Sequence, residues 1–162
     1  MVDTTGGAAA RRTERLELRV PTSRTQLPAV RAMTGDLAMR MDFDLDAVED
    51  LRLAVDEASA TLSSVALPGT PLVTVFETGP TGLTIQAWVA TTEGTDVPRD
   101  GFGWAVIAAL VDSVDAGPST QAQVPAGDGS SAAVATITLT KELPAALPTA
   151  AAGGNADLPV TR

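Results

Sequence analysis

The sequence predicts an α+β domain: a two-layer α/β sandwich whose helices cover one face of a mixed, mostly antiparallel sheet. Three observations lead there. Leu16, Leu18 and Val20 alternate with Glu17 and Arg19 as in a half-buried strand, and two segments with helical apolar spacing follow directly. Two β-branched runs, LVTVFET and LTIQAWVA, are then joined by GPTG, the signature of an antiparallel hairpin. No alternating strand-helix-strand rhythm runs through the chain, which argues against a parallel doubly wound sheet.

Taken in order, the first strand closes at Pro21. Ser23 is a candidate cap for a first helix, in which Leu27, Val30, Met33, Leu37 and Met41 recur at helical spacing and Pro28 falls early enough to be tolerated. Asp44 or Asp46 caps a second helix, whose buried stripe is expected to comprise Leu45, Val48, Leu51 with Leu53, Val55, Leu62 and Val65 until Pro68-Gly69 stops it. The hairpin comes next, and then the loop TTEGTDVPRDG. FGWAVIAALVDSVDA predicts a third helix with Val106, Ile107, Leu110, Val111 and Val114 on its apolar side. AVATITLT, Ala133 to Thr140, predicts a last strand, with a further short strand around Ala122 to Val124.

Composition narrows the function. The 162 residues, 44% hydrophobic, suffice for one domain with its own core. The Gly-, Ala- and Pro-rich ends read as tails, 1–14 and 144–162, around a domain at 15–143. Neither a signal-like segment nor an apolar run of bilayer length is present, so a cytoplasmic protein without membrane association is expected. With Cys 0 and His 0, thiolate, imidazole and phosphohistidine chemistry are excluded, as are Cys/His zinc sites. Eleven Lys and Arg against twenty Asp and Glu give a net charge of -9, which repels nucleic-acid phosphates and favours a basic partner.

Within the second helix, LRLAVDEASATLSS carries an acidic pair, Asp56 and Glu57, among small and apolar residues. Glu57 and Thr61 stand at i and i+4 and share a face with Ala54, Ala60 and Ser64, apart from the predicted apolar stripe. A carboxylate with a hydroxyl one turn later can hold a water or a cation, and small neighbours let a ligand approach. The other reading is a solvated face bearing ordinary surface charges. Gly101-Phe102-Gly103 precedes the third helix, where main-chain amides can receive phosphate or simply form a turn. Trp104 reads as a core anchor.

The string FDLDAVEDLRLAVDEASATL resembles the second helix of RsbW-type anti-sigma factors, members of the GHKL ATPase and kinase superfamily, and in particular the actinobacterial UsfX branch that restrains sigma-F. The resemblance extends through ALPGTPLVTV, the Gly-Phe-Gly-Trp entry to the third helix and the ITLT strand, roughly Leu16 to Leu143. It implies a Bergerat-type fold, sequestration of a stress-response sigma factor, control by a STAS-type anti-anti-sigma partner, and a homodimer formed through the first strand and helix. In the family, ATP and Mg²⁺ serve a serine kinase that phosphorylates the anti-anti-sigma protein. Glu57 falls on the position of the family's catalytic glutamate, and Thr61 stands where the family places a magnesium-holding asparagine. Thr92-Glu93-Gly94-Thr95-Asp96 occupies the place of the D-x-G-x-G adenine box, with Thr92 for the adenine-reading aspartate, Gly94 retained and Asp96 for the second glycine. Gly101 and Gly103 match the following phosphate loop. These departures imply a degenerate ATP site with a vestigial general base, and a binding protein rather than a kinase. The alternative is an active kinase using Glu57 as base and Thr61 on the metal.

Overall fold

A computed structural model describes residues 13–23, 25–118 and 133–144. The tails at the chain's ends and the strand expected around Ala122 to Val124 fall almost wholly outside them. Five strands and three helices follow in the order β1 (Glu14–Pro21), α1 (Leu27–Arg40), α2 (Leu45–Val65), β2 (Pro71–Thr78), β3 (Gly82–Thr91), α3 (Phe102–Leu110), β4 (Ser113–Pro118) and β5 (Ala133–Glu142). The sheet order is β1-β2-β3-β5-β4, and each neighbouring pair is antiparallel.

Register explains the two layers. Leu16, Phe76, Ile85, Leu139 and Val114 form one row across the five strands, and Leu18, Thr74, Ala87, Ile137 and Ala116 form the next. These rows face the helices, and apart from Leu16, which is 40% exposed, and the buried hydroxyl residue Thr74, they build the main core with Val30 and Leu37 of α1, Leu51, Val55 and Leu62 of α2 and Ile107 of α3. The alternate residues face the other way, where Val73, Val75, Trp88 and Val134 make a small separate cluster. The β2–β3 hairpin closes through the Gly79 amide, which donates to the Gly82 carbonyl at 3.0 Å. Gly82 is fixed by close approach, because a Cβ there would collide with the Lys141 carbonyl of β5.

Several sequence expectations are corrected. Ser23 does not cap α1: Gln26 holds that position with no side-chain bond, and the Ser23 carbonyl instead accepts from the Gln26 amide at 2.9 Å. Asp44 does cap α2, accepting from the Ala47 amide at 2.8 Å. Leu45 and Leu53 leave the buried stripe, at 75% and 44% exposed, because the helix turns those positions away from the sheet. Ala54, read as part of the Glu57 face, is fully buried instead. The third helix stops at Leu110, and Val114 lies in β4, an edge strand that apolar periodicity had merged into the helix. On β4 the Arg99 guanidinium donates to the Ala116 carbonyl. At the opposite edge, no hydrogen bond from another described element reaches the outer main chain of β1. No helix among the described residues is long and apolar enough to cross a membrane.

Candidate functional site

The acidic pair on α2 is split between two neighbours. Asp56 points to α1, where Arg31 donates to it at 2.9 Å and also lies 3.7 Å from Glu49. Because all three side chains are partly solvated, this bracket contributes only modestly, about 0.2–1 kcal/mol per pair. Glu57, one position on, turns through a helical step toward α3. Half-buried there, it makes no hydrogen bond or ion pair with another described residue.

The entry to α3 sits against it. Gly101 is the N-cap, extended at φ -89 and ψ 167 with no side-chain bond, so the helix begins at Phe102 as the Gly-Phe-Gly motif suggests. A Cβ added at Gly103 would stand 3.0 Å from Glu57 Oε2 and 3.9 Å from Thr61 Oγ1. The absence of a side chain at Gly103 is therefore what lets the first turn of α3 close on the carboxylate. The unpaired amides of a helix start favour a nearby anion, and Glu57 supplies one from within the chain. The chain runs on from Trp104, which packs partly buried on the core as a structural anchor.

Glu57, Thr61 and Gly103 are thus brought together, with Gly101 one step away. Thr92 and Gly94 belong to a separate feature just beyond β3. The Thr95 amide donates to the Thr92 carbonyl at 3.2 Å, the two hydroxyls lie 2.8 Å apart, and Gly94 takes φ 78, which a side chain disfavours. Val97 anchors the following loop in the core, leaving Asp96 exposed. Among the described residues no group of three or more Asp, Glu, His or Cys is arranged to hold a metal ion.

Two clefts lined by described residues lie elsewhere. One, of about 480 Å³, is bordered by Asp44, Asp46, Asp50, Asp112 and Glu142 around Lys141. The other, of about 380 Å³, lies between the end of β1 and the Gly69 turn. The Lys141 ammonium donates to the Leu110 carbonyl at 2.9 Å and stands 3.8 Å from Asp50, so the lone lysine ties β5 to the end of α3 and to α2. Sequence periodicity gave no sign of these links, since they join residues far apart in the chain.

No family model matches the chain. Over 99 residues it is 35% identical to the anti-sigma-F factor RsbW of Mycobacterium tuberculosis, in both strain CDC 1551 / Oshkosh and strain H37Rv. The chain is similar to an anti-sigma factor. The matched stretch covers 61% of this chain and 59% of RsbW, less than two thirds of the relative's length. It agrees with the RsbW-type resemblance read from the sequence.

Proposed function

We propose that this chain is a cytoplasmic anti-sigma factor: its 15–143 domain sequesters a stress-response sigma factor, a STAS-type partner releases it, and nucleotide plays no part in binding. The similarity to RsbW carries this reading. A net charge of -9 favours encounter with the basic, DNA-facing helices of a sigma factor, chiefly through association rate.

The residues at the family's nucleotide positions do not fit MgATP. Thr61 is shorter than the expected asparagine, the Thr92 hydroxyl is engaged by Thr95 at 2.8 Å, and the start of α3 already has the Glu57 carboxylate against it. A phosphate placed there would meet a like charge. One observation favours the kinase alternative: Glu57 has no partner among the described residues, as a general base awaiting a hydroxyl would. The homodimer is proposed through β1, where an antiparallel pairing centred on Leu18 sets Glu17 opposite Arg19 of a second copy.

The test mixes the full chain with candidate stress sigma factors on a sizing column, with and without MgATP, and titrates MgATP by calorimetry. Co-elution without nucleotide is expected, along with tighter ATP binding by the variant Thr61→Asn, Thr92→Asp, Asp96→Gly. Absence of co-elution under every condition refutes the sigma reading. Low-micromolar MgATP binding with Glu57-dependent labelling of a STAS-type serine establishes the kinase instead.

A further inference from the structure

α3 presents an anomaly of composition. Its nine residues, FGWAVIAAL, include no charged, amide or hydroxyl side chain, yet Ile107 alone is fully buried. Phe102 is 86% exposed, and Ala105, Ala108 and Ala109 are exposed with it. A helix apolar all round is ordinarily covered on all sides, whereas a solvated helix carries polar groups on its outer face. Scattered surface leucines are commonplace, but here the whole outer surface of one helix lacks a polar side chain and bears a large aromatic ring at its start.

The surroundings specify what covers it. α3 runs antiparallel to α2, since its start meets Glu57 and its last carbonyl is reached by Lys141 beside Asp50. Asp100 and Asp112 flank its two ends. Both are exposed, and the Asp112 carboxylate also accepts from the Glu142 amide at 2.6 Å. Both nearby cations are engaged, Arg99 by the Ala116 carbonyl and Lys141 by the Leu110 carbonyl. The apolar strip therefore carries an exposed carboxylate at each end, with no free cation among these neighbours.

We infer that the outer face of α3 docks an amphipathic helix with basic flanks, belonging to the sigma factor of the proposed function. Phe102 is the anchor that enters the partner's apolar seam, the alanines let the two backbones approach, and the carboxylates select lysine and arginine on the partner's flanks. The identity of the partner rests on the anti-sigma reading; the surface itself does not.

Two arms separate them. Calorimetry of the full chain uses two 18-residue model helices with one leucine pattern, their polar face lysine in one and glutamate in the other. The lysine helix should bind, weaken about tenfold or more with Phe102→Ser or Ala105→Arg, and stay within about twofold with Met39→Ser, a change at an exposed apolar site on α1. The glutamate helix should not bind. The same variants, checked for unchanged circular dichroism, are then run with whichever sigma factor co-elutes with the parent chain. Failure of the lysine helix to bind, or equal binding by every variant, overturns the docking surface. Sigma binding that survives both α3 substitutions also overturns it while leaving the anti-sigma reading intact. Peptide binding that depends on Phe102, with no sigma factor bound by the parent, upholds the surface and overturns that reading.

Discussion

The contact between Gly103 and Glu57 can be measured by a double-mutant cycle. Gly103→Ala replaces a glycine in a helix, which by propensity alone stabilises by up to about 1 kcal/mol. The new methyl would lie 3.0 Å from Glu57 Oε2, tighter than ordinary van der Waals contact, so the carboxylate must shift. Turning a side chain off its preferred rotamer costs roughly 0.5–1.5 kcal/mol, and the two effects nearly cancel in the parent background. Glu57→Ala should cost about 0.3–1 kcal/mol by removing an anion from the start of α3. In that background Gly103→Ala meets no obstacle and recovers its full propensity gain. The expected coupling is therefore about 0.5–1.5 kcal/mol, within reach of urea denaturation followed by circular dichroism. Additivity within about 0.3 kcal/mol would show that α3 does not close on Glu57, and the account of the site would fail with it.

Two further substitutions test the scaffold that holds this contact. Leu62→Ala removes a side chain with 0% exposure from the middle of the core, and its cost should be about 2–5 kcal/mol by the same denaturation assay. Gly82→Ala drives a methyl into the Lys141 carbonyl and to 2.9 Å from Glu142 Cα, main-chain atoms that cannot rotate away, at about 1–3 kcal/mol. Gly101→Ala, with open space around its Cβ, meets no steric obstacle but gives up a favoured N-cap residue, and should cost about 0.5–1 kcal/mol.

Legibility in the sequence followed the range of the forces involved. The α2 cap, narrowed to Asp44 or Asp46, the GPTG hairpin and the helix start after Gly101 depend on neighbours within four residues, and to that extent were readable. β4 was not: VDSVDA continues the apolar spacing of α3, and what makes Ser113–Pro118 a strand is pairing with β5, some twenty residues later. Leu45 and Leu53 failed for a related reason, because spacing identifies an apolar residue but only packing decides which side of α2 meets the sheet. At the site, the i, i+4 relation of Glu57 and Thr61 was visible, while the arrival of Gly103 between them required the fold. The exposed face of α3 was hidden for the opposite reason, since an apolar helix reads as core until its neighbours are placed.

The inequality of the two sheet edges bears on stoichiometry. A sheet with two adhesive borders behaves as a bifunctional monomer: each addition regenerates a fresh border, and growth has no natural end. Here β4 is short, ends at Pro118 and carries the Arg99 guanidinium on its main chain, so it acts as a chain terminator. Among the described strands β1 keeps its outer border without such a contact, and in the proposed homodimer, where it would meet the β1 of a second copy about a two-fold axis, both borders would be consumed in one event. Assembly by that route would stop at two, with the Arg99 contact to the Ala116 carbonyl one of the features that keep β4 from extending it.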